Sequence, residues 1–261
     1  MKEMITEIFQ YRNLMYILAW RDIKIRYKQT VMGFLWAIFM PMLIVSAGIL
    51  VNKAFSVVSG KPMELSKLTS VMIKSLPYSF FIASIRFATN SLVGNFNLVT
   101  KIYFPREVFP MAAVLANLFD FFLASIALSI ILAFTGLEID YHILWVPLLV
   151  VLLIFFTLAL GMILACANLF YRDVKYIVEV LVTFAIFFTP VFYDASMFGK
   201  WAPLLLINPV GAILENMNNV IILHQQPNVF WLIYVSAWSI GGFILSWYIF
   251  HKTEFLFAEK I

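Results

Sequence analysis

Three segments of this sequence are long enough to cross a membrane and contain no charged side chain: residues 31–51, 143–168 and 231–250. A helix needs ~20 predominantly apolar residues to cross a hydrocarbon core ~30 Å thick. Of the 261 residues, 63% are hydrophobic and only 12% are charged, so a water-soluble globule could not cover its apolar surface. The same composition excludes intrinsic disorder. We therefore predict an all-α integral membrane protein.

Three further segments are predicted to cross the membrane although each contains ionisable side chains: residues 71–92, 108–134 and 177–193. Six crossings place both termini on one side of the membrane. If that side is the cytoplasm, twelve Lys and Arg residues lie inside and four lie outside, which is the positive-inside bias. The whole chain, 1–261, is predicted to be one membrane domain. Its parts are a cytoplasmic segment at 1–30, crossings within 31–250 and a cytoplasmic tail at 251–261.

Residues 4–28 show the periodicity of a helix with one polar face, which is typical of a helix lying in the membrane interface. Such a helix is either a plain membrane anchor or a docking surface for a partner, and both interpretations stay open. A basic cluster immediately precedes the first crossing. It comprises Arg21, Lys24, Arg26 and Lys28. This cluster is interpreted either as a topology signal or as a contact for anionic lipid headgroups.

The second cytoplasmic loop, residues 95–110, reads NFNLVTKIYFPREVFP. Pro105 disfavours a helical conformation at Phe104, and Pro110 suits the first turn of the third crossing. The pattern therefore predicts a short helix, a break and a new helix. Glu107 would lie near the N-terminus of that new helix, where the helix dipole favours a negative charge. The three apolar or aromatic residues before Pro105 should pack against another surface.

Two other connections depart from simple loops. The third cytoplasmic loop, residues 168–177, is too short for a domain and presents Arg172 and Asp173 at a chain reversal. The last outside segment, residues 194–230, contains three prolines and apolar runs that are too short to cross. It is predicted to form short re-entrant helices, because broken structure at membrane depth must be buried in protein or line a wet cavity.

Four ionisable residues fall inside the predicted crossings. Lys74 and Glu179 lie near the ends of theirs and can snorkel to the interface. Arg86 and Asp120 lie deeper, at depths that differ by only ~5 Å at the ~1.5 Å helical rise. They either form an ion pair or line a water-filled path, since unpaired charge in a membrane is costly.

The sequence contains no recognisable catalytic or ATP-binding motif. The sequence lacks the Gly-rich phosphate loop of ATP-binding proteins, and it has no zinc-protease or serine-hydrolase signature. One cysteine and three widely separated histidines predict no metal site. The net charge of +4 is explained by membrane orientation and does not indicate nucleic-acid binding. We predict a protein that is not an enzyme and binds no cofactor itself.

Three stretches of this sequence resemble one known family. They are residues 18–42, residues 86–110, and residues 168–177 followed by FFTPVFYD and INPV. This family comprises the membrane subunits of type-2 ABC exporters of bacterial surface polysaccharide, namely the O-antigen (Wzm-like), capsule and teichoic acid permeases. The resemblance covers nearly the whole chain, and K-x-Y-F-P-R-E is its most specific part.

The resemblance implies a homodimer in the bacterial inner membrane, with two copies of a cytoplasmic ATPase that bind ATP and Mg. It implies a substrate linked to polyprenyl pyrophosphate. The residues expected to couple to the ATPase are Lys101, Tyr103, Phe104, Pro105, Arg106, Glu107, Arg172 and Asp173. The residues expected at an outer gate are Asn208, Pro209 and Glu215.

Two other classes of function are alternatives to this one. An ion-coupled secondary transporter would use Arg86 and Asp120 as its intramembrane site. A membrane-embedded transferase or hydrolase lacks a nucleophile or metal constellation in this sequence. A neighbouring ATPase gene would favour the ABC exporter over both.

Overall fold

The computed structural model describes residues 10–28, 30, 32–60, 65–101, 104–134, 140–254 and 257. All regular structure within these residues is helical, as predicted. Five helices are long and apolar enough to cross a membrane. They are Leu35–Val58, Ser66–Gly94, Val108–Phe134, Tyr141–Phe170 and Val229–Thr253. These helices correspond to the first, second, third, fourth and sixth predicted crossings.

The α-helices of the described residues are numbered here in chain order. They are α1 Arg12–Tyr27, α2 Leu35–Ser59, α3 Leu65–Gly94, α4 Phe96–Lys101, α5 Val108–Phe134, α6 Val146–Phe170, α7 Val174–Phe188, α8 Ala202–Leu206, α9 Pro209–Ile221, α10 Val229–Ser236 and α11 Gly242–Thr253. The 3-10 helices Tyr141–Trp145 and Ala195–Trp201 precede α6 and α8, and a π-helical turn, Ala237–Gly241, joins α10 to α11.

The predicted fifth crossing differs from the others in length. Helix α7 has 15 residues, or ~22 Å at the helical rise, which is less than the ~30 Å of a hydrocarbon core. It ends because Thr189 is extended, with φ −115° and ψ 131°, as expected for a residue that precedes a proline. Residues 189–193, the part of this predicted crossing that follows α7, are not helical.

The core lies where α3 packs between α5 and α6. Close approach of α3 and α6 depends on Gly161, since a Cβ atom there would lie 2.9 Å from the Cβ of Ala88. Helix α9 inserts into the same core through Ile213 and Leu214, which are fully buried. The outer segment is thus built into the bundle between α3 and α6, as expected for non-crossing helices at membrane depth.

A second apolar cluster lies at the other end of the bundle. It contains Leu18 of α1, Phe104 and Val108 of the second cytoplasmic loop, and Phe250 and Phe257 near the end of the chain. The first and last described segments therefore meet at the same end. Helix α1 differs from a helix that only lies on lipid, because it buries Leu18, Ala19 and Ile23 against the bundle.

Candidate functional site

The second cytoplasmic loop has the predicted sequence of elements. Helix α4 ends at Lys101, Phe104 is non-helical, and α5 begins at Val108 with Pro110 in its first turn. The Phe104 side chain is buried, and its ring centroid is 5.3 Å from that of Phe109. Tyr103 and the side chain of Lys101 lie outside the described residues. The break before Pro105 is confirmed, and it places Arg106 and Glu107 directly before α5.

Arg106 points towards the C-terminal segment. Its backbone N–H donates to Glu254 Oε1 at 3.0 Å, and its Nη1 donates to the Glu254 carbonyl oxygen at 2.6 Å. Its guanidinium carbon is 5.8 Å from the centroid of the Phe257 ring. Arg106 therefore links the second cytoplasmic loop, by hydrogen bonds, to the residue that follows α11. No sequence pattern indicates Glu254 as the partner of Arg106, because 148 positions separate the two residues.

Glu107 is buried beside the same segment. Its Oε1 lies 3.3 Å from His251 Nδ1, and its exposed fraction is 1%. Within the described part of the chain, Glu107 Oε2 has no hydrogen-bond partner. Burial raises the pKa of the neighbouring Glu254 carboxyl, and the Glu107 charge raises it further. The position of Glu107 before α5 agrees with the prediction, but its side chain faces α11.

The third cytoplasmic loop is a tight turn between α6 and α7, held by hydrogen bonds of one buried side chain. Asn168 Nδ2 donates to the Thr89 carbonyl at 2.9 Å, and Asn168 Oδ1 accepts from the Lys175 backbone N–H at 3.2 Å. This buried amide fixes the turn between α6 and α7. Arg172 and Asp173 lie in that turn with exposed side chains, so both are accessible at the surface of the single chain.

The basic cluster before the first crossing divides into two parts. Lys24 and Lys28 are exposed, as expected for residues that meet headgroups. Arg21 donates to Asp22 Oδ1 at 2.7 Å and to Asn95 Oδ1 at 2.8 Å, which ties α1 to the end of α3. Arg26 forms an ion pair with a residue of α5. The four cations are therefore not one headgroup site.

The predicted ion pair between Arg86 and Asp120 is not formed. Asp120 pairs with Arg26 and accepts a hydrogen bond from the Tyr27 hydroxyl at 2.5 Å. Arg86 pairs with Glu179 Oε1 of α7 at 2.8 Å. The depth estimate placed Arg86 and Asp120 at similar heights but did not specify which face of α3 meets α5. The next residue of α3, Phe87, is the one that lies on the side of the Arg26–Asp120 pair, since its ring is 4.3 Å from the Arg26 guanidinium carbon.

A cavity of about 330 Å³ adjoins the Arg26–Asp120 pair between α1, α2, α3 and α5. Its walls are rich in aromatic rings. These belong to Tyr27, Trp36, Phe80, Phe87 and Phe121. The cavity combines a partly buried ion pair with apolar walls, which is the usual composition of a ligand pocket.

The predicted outer-gate residues all belong to α9 or to its N-cap. Asn208 Oδ1 accepts from the Val210 backbone N–H at 3.1 Å, so Asn208 caps α9, and Pro209 is the first residue of that helix. Asn208 Nδ2 also donates to Thr189 Oγ1 at 2.9 Å, which links α9 to the end of α7. A helix therefore begins at Asn208–Pro209, in agreement with the tendency of an Asn-Pro pair to begin a turn or helix.

Glu215 belongs to a buried ionic cluster that the sequence did not indicate. Lys74 is fully buried, and its Nζ lies 2.6 Å from Asp194 Oδ1 and 2.9 Å from Glu215 Oε2. It also donates to the Tyr193 carbonyl oxygen at 3.2 Å. Lys74 therefore does not snorkel to the interface. It joins α3 to α9 and to the turn that follows α7.

Comparison with known proteins agrees with this architecture. The family described as ABC-2 type transporter matches residues 13–222. The O-antigen export system permease protein RfbA of Myxococcus xanthus is 30% identical over 268 residues, covering 100% of both chains. Two RfbA permease proteins of Klebsiella pneumoniae are 28% and 26% identical over 95% of this chain and 94% of each relative. The chain therefore belongs to the ABC-2 type transporter family, as a membrane (permease) subunit.

Proposed function

We propose that this chain is the membrane subunit of an ATP-driven exporter of polysaccharide linked to polyprenyl pyrophosphate, such as O-antigen, in the bacterial inner membrane. The observation that carries the proposal is its similarity, along 95% or more of the chain, to three proteins named as O-antigen export permeases. A secondary transporter that uses Arg86 and Asp120 together is not supported, because each residue is committed to a different ion pair.

The proposed topology has six crossings and cytoplasmic termini. Helix α7 would be the fifth crossing. The chain from the end of α7 to Asp194, together with α9, would span the rest of the membrane on the outer side. Two observations support this orientation. Lys and Arg are more numerous in the segments that this topology places in the cytoplasm, as the positive-inside rule requires. The first and last described segments also share one apolar cluster with the second cytoplasmic loop.

We propose that α7 faces a second copy of this chain or the translocation path. One side of α7 exposes a row of large apolar residues in the single chain. The Arg86–Glu179 pair lies beside them, with its side chains 42% and 57% exposed. Charged groups at membrane depth normally face protein or water, because lipid exposure is costly. A homodimer with its path along α7 would remove that exposure.

Each copy would bind one cytoplasmic ATPase through the end of the bundle that carries the second and third cytoplasmic loops. The exposed Arg172 and Asp173 would meet it directly. Arg106 and Glu107 would set the shape of that surface, since both are directed towards the C-terminal segment. ATP and Mg would bind to the partner alone.

The test is co-purification of the tagged chain with the ABC ATPase encoded beside it, followed by ATP turnover in lipid and export in a permease-deficient strain. Arg172→Glu should reduce ATPase recovery and export at matched expression. Lys200→Glu is the matched control, since Lys200 is an exposed cation in the outer segment. Equal losses in both variants, or the absence of any ATPase from the wild-type complex, would contradict the proposal.

A further inference from the structure

Two carboxylates and one imidazole converge where the second cytoplasmic loop meets the end of α11. One atom from each of Glu107, His251 and Glu254 lies within 4.8 Å of the others. His251 Nδ1 is 3.3 Å from Glu107 Oε1 and 3.7 Å from Glu254 Oε2. Charge-assisted hydrogen bonds are usually ~2.7–2.9 Å long, so these separations are longer than strong direct contacts.

The two separations from His251, 3.3 and 3.7 Å, are close to those between ligands around one metal ion, and the two carboxylates lie within 4.8 Å of each other. Tetrahedral zinc has ligands at ~2.0–2.2 Å, which places neighbouring ligand atoms ~3.3–3.6 Å apart. His251 and Glu254 are three positions apart on one helical face, so one turn presents both to a common point. Glu107 approaches that point from the start of α5.

A second observation indicates that this cluster can bind a cation. The Glu107 side chain is only 2% exposed, and its Oε2 has no hydrogen-bond partner among the described residues. A buried carboxylate oxygen without a partner is costly, and a second carboxylate lies beside it. The Arg106 guanidinium donates to a backbone carbonyl instead of either carboxylate. A divalent cation would satisfy both acidic groups.

We propose that Glu107, His251 and Glu254 form a binding site for a first-row divalent metal ion such as Zn²⁺. Water would occupy the fourth position, because His251 is partly exposed. The Arg106 backbone N–H orients the Glu254 carboxylate, as outer-shell donors do for metal ligands. The metal would clamp the second cytoplasmic loop to the last crossing. The ligands are far apart in sequence, which is why cysteine and histidine spacing predicted no metal site.

The test is titration of the purified full-length chain, stripped with a chelator, with Zn²⁺ alone. We expect one zinc per chain by elemental analysis. His251→Ala and Glu107→Gln should each weaken binding at least about a hundredfold, beyond the ~10–100-fold that outer-shell changes cost. His224→Ala is the matched control, since it also removes an imidazole but leaves the three ligands in place.

Co²⁺ gives a second measurement that depends on geometry. Bound Co²⁺ in a four-coordinate site should show intense visible absorption that disappears in His251→Ala and persists in His224→Ala. Should Glu107→Gln fail to fold, Glu254→Gln tests the other carboxylate by the same titration. Zinc that binds with equal affinity to wild type and His251→Ala would overturn the proposal, as would a wild-type chain without stoichiometric zinc. Neither result bears on export, which is measured separately.

Discussion

Replacing Lys74 by Met should destabilise the membrane domain strongly. Lys74 is fully buried, and its ammonium group is the cation that faces both Asp194 and Glu215. Methionine fills a similar volume without the charge, so packing is largely kept. The substitution leaves two partly buried carboxylates facing each other with no cation between them, and it frees the Tyr193 carbonyl oxygen from its donor.

The expected magnitude follows from the cost of breaking a buried ion pair. Removing one partner typically costs ~3–5 kcal/mol, and ~3 kcal/mol corresponds to a roughly 150-fold change in the unfolding equilibrium. Neutralising the whole cluster should cost much less. In Lys74→Met combined with Asp194→Asn and Glu215→Gln, the Gln oxygen can still accept from the Ala195 backbone N–H, as Glu215 does at 3.0 Å.

The assay is equilibrium unfolding in mixed micelles, followed by tryptophan fluorescence, for wild type, Lys74→Met and the triple variant. Lys53→Met is the matched control, because Lys53 is exposed near the outer end of α2. The triple variant should recover most of the stability that Lys74→Met loses. A loss below ~1 kcal/mol, which is typical of exposed pairs, or a triple variant less stable than Lys74→Met, would refute the reasoning.

Three further predictions concern other contacts of the described chain. Arg26→Ala and Asp120→Ala should each lower the yield of folded protein, and the double variant should show a coupling energy of ~0.5–3 kcal/mol in a double-mutant cycle; additive losses would contradict the pair. Gly161→Val should destabilise the bundle by ~1–3 kcal/mol in the unfolding assay, because α3 and α6 touch there. Gly241→Ala, which meets no atom within 4 Å, should be tolerated by comparison. Cys166 is buried, so a maleimide should label it only after denaturation in SDS, and rapid labelling in membranes would contradict its packing.

The crossings without charged residues could be predicted from the sequence because a long apolar run has few alternatives to a membrane helix. Their cores agree closely with α2, α6 and the α10–α11 helix, although α2 begins and ends later than predicted. The break around Pro105 and the start of α9 at Pro209 were also predictable, because proline restricts the backbone locally. Each of these features is determined by residues that are close together in the sequence, so it can be predicted without knowing how the helices pack.

Ionic partners could not be predicted in the same way. Helical rise gives the depth of Arg86 and Asp120, but the direction of each side chain around its helix depends on which neighbours pack against it. Arg86 faces α7, whereas Asp120 faces α1. Lys74 illustrates the same limit, since its carboxylates come from segments 120 and more positions away. Sequence periodicity in an all-apolar helix carries little information about orientation.

The buried ionic cluster around Lys74 and the partly buried hydrogen bonds between Arg106 and Glu254 explain how a bundle in lipid can fix one arrangement of its helices. Lipid tails are as apolar as leucine, so apolar contact alone gives helices little preference for particular neighbours. Lys74 supplies such a preference at one end by joining α3 to α9, and Glu254 supplies it at the other by holding Arg106. A displacement of the second cytoplasmic loop would act directly on α11 through Arg106 and Glu107. The last crossing is therefore coupled to movement of that loop by direct contacts, although the two are far apart in the sequence.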